Sequence, residues 1–162
     1  MQMSENGQRK LADWEGFKPR AYHDAAGKLT IGVGHLLTKS ELSSGKIWIK
    51  GAMVRYAAGL TDRQVLDLLG QDLEGAENAV NEGVEVELRQ PQFDALVSFC
   101  FNVGAAAFKS STLLRRLNQG GYEEVPGQLR RWVHCNGAVV PGLVKRREQE
   151  IACWQRGLNP TD

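Results

Sequence analysis

The sequence has almost no excess charge of either sign. Twenty basic residues against nineteen acidic ones leave a formal net charge of +1 over 162 residues. A strong basic bias is the electrostatic footprint of proteins that hold anionic polymers, and without one no nucleic-acid partner is expected. Long apolar runs are absent too. None approaches the roughly 20 residues needed to cross a bilayer, and the opening MQMSENGQRKLADWEGF has no apolar core of signal-peptide length. The expectation is a chain made in a cytoplasm, without stable membrane insertion. The three cysteines, Cys100, Cys135 and Cys153, cannot all pair within one chain, and they read as buried reduced thiols. No Cys-x-x-Cys occurs, and His23, His35 and His134 are scattered, so neither metal nor cofactor is expected. With no internal repeat and no low-complexity linker, residues 1–162 read as one domain.

What is present is concentrated in Glu15–His35, EGFKPRAYHDAAGKLTIGVGH. Gly16 just past Glu15 marks a helix end. Ala25-Ala26-Gly27 is a turn-like break, and the β-branched, glycine-interrupted run Leu29–Gly34 suits a strand over which something passes closely. A hairpin here brings Asp24 and Thr30 together and presents both beside the end of the Glu15 helix. Two carboxyls and a hydroxyl in one place suit glycoside hydrolysis, where one acid gives a proton to the leaving oxygen and a second stays ionised to activate water or attack the sugar. Glu15, flanked by Trp14, Gly16 and Phe17, suits the protonated role, and Asp24, beside a polar turn, suits the ionised one. Spacing alone leaves open a plainer reading of two solvated surface acids.

The run E-G-F-x-x-x-A-Y-x-D-x-x-G-x-x-T-I-G-x-G-H resembles the signature of the phage-type lysozymes, the T-even-like muramidase endolysins of glycoside hydrolase family 24. The resemblance continues in FDALVSFCFNVGAAAFKSSTLLRRLNQGGY, in Arg130-Arg131-Trp132 and in PGLVKRREQEIACW, and weakens only over about residues 40–60. It implies an α+β, mostly helical, lysozyme-like fold. A small N-terminal β lobe (about 15–60) and a larger helical C-terminal lobe (about 82–162) are joined by a long helix, with a cleft between the lobes. Position by position, Glu15 resembles the family's general acid, Asp24 its second carboxylate and Thr30 its catalytic threonine. His35 and Asp72 match a structural ion pair, in which an acidic partner holds the proton on the histidine. Asn102 matches an amide that faces the substrate.

Elsewhere the pattern is helical. Thr61-Asp62-Arg63-Gln64 is a capping box, and Val65, Leu66, Leu68, Leu69, Leu73, Ala76 and Val80 recur at helical spacing, so one helix is expected over 61–81. Pro91 opens a strongly apolar helix that ends at Gly104. A last helix over about 143–155 carries Lys145, Arg146, Arg147, Glu148 and Glu150. It reads as a solvated charged face with pairs such as Arg146–Glu150, or, from the resemblance, as the source of an arginine that reaches Glu15. Trp132 reads as a core aromatic. Ile47-Trp48-Ile49 alternates like a short strand. Trp48 reads as a core aromatic of the small lobe, with stacking on a sugar ring as the alternative.

The resemblance thus implies a monomeric endolysin that hydrolyses the β-1,4 bond between N-acetylmuramic acid and N-acetylglucosamine in peptidoglycan glycan strands. A holin would open its way from the host cytoplasm to the wall, and the outcome is lysis of the host. The rival readings are a lytic transglycosylase, which needs the acid but no water-directing Asp/Thr pair, and a non-catalytic wall-binding or virion relative.

Overall fold

A computed structural model describes residues 1–158. It is a mixed α+β structure, dominated by helix. In chain order the elements are α1 (Glu5–Glu15), β1 (Lys18–His23), β2 (Leu29–Gly32), β3 (His35–Leu36), α2 (Lys39–Ser44), β4 (Lys46–Ile49), β5 (Ala52–Arg55), α3 (Asp62–Asp72), α4 (Glu74–Gly83), α5 (Gln90–Val103), α6 (Ala105–Lys109) and α7 (Thr112–Asn118). A 3-10 turn (Tyr122–Glu124), α8 (Val125–Leu129), β6 (His134–Cys135), β7 (Ala138–Val139) and α9 (Pro141–Leu158) complete it. The chain forms two compact units. One is Gln8–Glu74, and the other comprises Met1–Gly7 with residues from Gly75 onward.

In the Gln8–Glu74 unit, β1, β2 and β3 form one antiparallel sheet and β4 and β5 a second. Ile31, Val33, Ile47 and Ile49 are buried with Val65, Leu66, Leu68 and Leu69 of α3, on which both sheets pack. Gly32 has φ 70°, a conformation open to glycine at little cost, and Leu68 and Val65 are the side chains that pass over it. Helix α3 starts at the Thr61 capping box: Gln64 N donates to Thr61 Oγ1 (3.1 Å) and Thr61 N to Gln64 Oε1 (2.9 Å).

In the other unit α5 is the centre. Phe93, Leu96, Val97, Phe99 and Cys100 are buried, and α5 lies along α9, which contributes Ile151, Cys153 and Trp154. Ser4 caps α1: Gly7 N donates to Ser4 Oγ (3.0 Å), and Ser4 N in turn donates to Asp94 Oδ1 (3.0 Å).

Four expectations are corrected. The helix expected over 61–81 is two, α3 and α4, separated at Leu73; Leu73 keeps right-handed helical angles (φ −77°, ψ −15°), and glycines at 70 and 75 weaken the helix on both sides. Trp48 is no core aromatic but 56% exposed, because the two-residue strand period that buries Ile47 and Ile49 turns it outward. The last helix is longer than expected, and its charged face is not solvated throughout: Arg146, Arg147 and Glu150 are buried. Cys100 and Cys153 are buried thiols, but Cys135 is exposed. Trp132 is half-buried, edge-on to Phe99 at 5.4 Å.

Candidate functional site

The Gln8–Glu74 unit holds Glu15, Asp24, Thr30, His35 and Asp72. Glu15 is the last residue of α1 and is exposed. Gly16 follows with φ 98° and donates its N–H to Ala12 O (2.9 Å), so the chain leaves the helix there and enters β1 two residues later.

The next turn is built around Asp24. Its Oδ1 accepts from Ala26 N (2.9 Å) and Lys28 N (2.8 Å), an Asx-type arrangement that closes the loop between β1 and β2. Strand register pairs Tyr22 with Thr30 and His23 with Leu29. Asp24 N (2.9 Å) and Thr30 Oγ1 (3.0 Å) both donate to Lys28 O, so one carbonyl ties the two residues to the same turn. Thr30 is buried, and its hydroxyl proton is committed to that carbonyl. The oxygen retains acceptor capacity.

His35 makes contacts through both ring nitrogens. Nδ1 is 2.8 Å from Asp72 Oδ2, and Nε2 is 2.9 Å from Glu41 Oε1. Burial alone would lower the histidine pKa. Hydrogen bonds and attraction from Asp72 and Glu41 outweigh it and raise the value to about 9. Glu41 moves the other way: burial pushes it up, but hydrogen bonds from Thr38 and His35 and the imidazolium charge hold it below the usual carboxylate range. Sequence reasoning missed Glu41. The available signal was Thr38-Lys39-Ser40-Glu41, a second capping box, in which Thr38 N donates to Glu41 Oε1 (2.9 Å).

The pH dependence follows from these two shifts. His35 has a raised folded value, so its contribution is complete below the unfolded value of about 6.5 and is lost as pH rises through about 9. Glu41 has a lowered folded value, so its contribution is present above its ordinary carboxylate range and is lost on acidification. His35→Ala is expected to cost about 2–3 kcal/mol at pH 5–6 and progressively less from pH 7 to 9.5, measured by urea unfolding at each pH. A deficit that stays constant across that range would contradict the assignment.

Asn102 belongs to the other unit, near the end of α5. It is exposed, and its Oδ1 accepts from Arg147 Nη2. Arg147 is fully buried with its guanidinium 5.0 Å from the Phe99 ring centre and its Nε 2.8 Å from Glu150 Oε1. Glu150 Oε2 accepts from Ser98 Oγ (2.5 Å), and Arg146 Nε lies 3.3 Å from the same oxygen. Sequence reasoning took Arg146 and Glu150 as a pair but saw neither their burial nor the part of Ser98. Among the described residues, no group of three or more His, Cys, Asp or Glu is placed to hold a metal ion.

The phage lysozyme family profile matches residues 12–150. The endolysin of Salmonella phage P22 is 38% identical over 95% of this chain and 98% of its own length. That of Bacillus phage PZA is 36% identical over 97% of this chain, which spans only 56% of that longer relative. Among solved structures, a variant of P22 lysozyme has a TM-score of 0.80 at 35% identity, covering 96% of this chain and 99% of its own. The architecture is the lysozyme-like one, with a helical majority and small antiparallel sheets. The chain belongs to the phage lysozyme family.

Proposed function

We propose that this chain is an endolysin: a lysozyme-type glycosidase that hydrolyses the β-1,4 bond between N-acetylmuramic acid and N-acetylglucosamine in bacterial peptidoglycan. The observation that carries the reading is the family match over residues 12–150, which includes the whole Glu15–His35 run. Glu15 protonates the glycosidic oxygen. Asp24 steers the attacking water and stabilises positive charge on the ring. Thr30, its proton held by Lys28 O, accepts a hydrogen bond from the water or the sugar. Asn102, with Oδ1 turned to Arg147, keeps its amide N–H groups for a substrate acetamido oxygen. The family resemblance favours inversion, which calls for carboxyls about 6.5–9.5 Å apart. In its setting the chain acts as a monomer on the wall after a holin opens the membrane, and the result is host lysis.

Asp24 allows a sharp test because its charge and its turn can be separated. Asp24→Asn keeps an acceptor for Ala26 N and Lys28 N but removes the charge. We expect release of soluble fragments from purified peptidoglycan to fall by about 10² or more, with folding retained. Asp24→Ala should be equally inactive and about 1–2 kcal/mol less stable, from loss of the turn bonds. If Asp24→Asn is nearly as active as wild type while Asp24→Ala is not, Asp24 serves the turn alone.

A further inference from the structure

The β4–β5 hairpin carries an outward face that the proposed hydrolysis does not use. Trp48 and Met53 sit directly opposite each other and are 56% and 52% exposed. Two large apolar side chains standing together in water need a reason. The exposure does not come from a loose hairpin. Ile47 and Ile49 are buried on the inner face, and the Gln71 side-chain amide holds the backbone where β4 enters the tip: Gln71 Nε2 donates to Trp48 O (2.8 Å) and Lys50 N donates to Gln71 Oε1 (2.8 Å). The tip residues Lys50 and Gly51 have φ 48° and 82°, the signs of a primed two-residue turn, so a lysine stands where asparagine or glycine is easier.

The charged residues of the hairpin itself are all basic. Strand alternation puts Lys46 and Arg55, themselves a cross-strand pair, on the same face as Trp48 and Met53. Lys50 at the tip is 76% exposed; its Nζ lies 3.6 Å from Asp67 Oδ1, an acid that Arg63 also reaches at 3.4 Å. Residues 46–55, KIWIKGAMVR, contain no acid. We propose that this face is a peripheral docking surface for a bilayer rich in anionic phospholipid. Trp48 and Met53 enter the headgroup level, and Lys46, Lys50 and Arg55 meet the lipid phosphates. A sugar-stacking platform would account for Trp48 but not for three cations on one hairpin, because neutral N-acetyl sugar rings offer them no counter-charge. Among the described residues no helix is long and apolar enough to cross a membrane.

The test is co-sedimentation of the full chain with vesicles of phosphatidylcholine alone or mixed with phosphatidylglycerol, at low and high salt. Binding should need phosphatidylglycerol and weaken with salt. Trp48→Ala should lower the partition coefficient about ten-fold, and Lys46→Ala and Arg55→Ala about five-fold each. Peptidoglycan hydrolysis in solution should be unchanged in all three variants, which shows that they fold. No binding to anionic vesicles, equal binding to both vesicle types, or wild-type binding by Trp48→Ala would each overturn the proposal. Trp48-dependent binding to purified glycan strands but not to vesicles would assign the face to sugar stacking instead.

Discussion

Glu15→Gln should reduce hydrolysis of purified peptidoglycan by about 10²–10⁴, the usual range for loss of a general acid. Glutamine has nearly the same shape and hydrogen-bonding reach. What it cannot do is deliver a proton to the leaving oxygen. Glu15 is exposed at the end of α1, and the geometry that ends the helix belongs to Gly16 and Ala12, so the variant should fold. The measurement pairs a turbidity assay on purified peptidoglycan with thermal unfolding of the same sample. A folded variant with near wild-type activity would remove Glu15 from the mechanism, and with it the division of labour between Glu15 and Asp24.

The largest stability effect is expected at Glu150. This carboxylate is fully buried, and burial pushes its pKa up against the pull of Arg147 and Arg146. It accepts from Ser98 and lies against two buried guanidiniums. Glu150→Ala takes away the buried carboxylate that both guanidiniums lie against, at a cost of about 3–5 kcal/mol. For a chain of this size the midpoint of thermal unfolding should drop by roughly 10 °C. Glu148, on the same helix, is the control. Its 2.8 Å pair with Arg130 joins two side chains that are each about half exposed, so Glu148→Ala should cost no more than about 1 kcal/mol. Equal losses in the two variants would mean that burial does not govern the Glu150 cluster.

Those two glutamates mark the limit of what the sequence conveys. At two positions of one charged helix, Glu148 and Glu150 look alike. Which one is buried depends on Ser98, a residue about fifty positions earlier that becomes a neighbour only when α5 lies along α9. The helices themselves were readable, because capping boxes and the 3.6-residue period act locally; the break at Leu73 was not, since the apolar period runs through it. In the candidate site, the order of Glu15, Asp24 and Thr30 along one helix end and one turn was visible in the motif, as were the glycines that let the chain change direction. The burial of Thr30 was not visible, because it depends on packing against the rest of its unit. Glu41 was missed although its capping box was in plain view. A cap explains a glutamate well enough that nothing in the sequence asks for a second partner, and the contact with His35 exists only once β3 and α2 are placed. Trp48 was misjudged against a pattern that placed it correctly: if Ile47 and Ile49 face inward, the residue between them faces out.

The central claim is hydrolysis of the muramic acid linkage with water as the acceptor. Its most direct test is mass spectrometry of the soluble fragments that the wild-type chain releases from purified peptidoglycan. Hydrolysis predicts muropeptides ending in reducing N-acetylmuramic acid, each one water heavier than its anhydro form. Fragments ending in anhydro-muramic acid would contradict the account, because the sugar's own hydroxyl would then have replaced the water that Asp24 and Thr30 are assigned to direct.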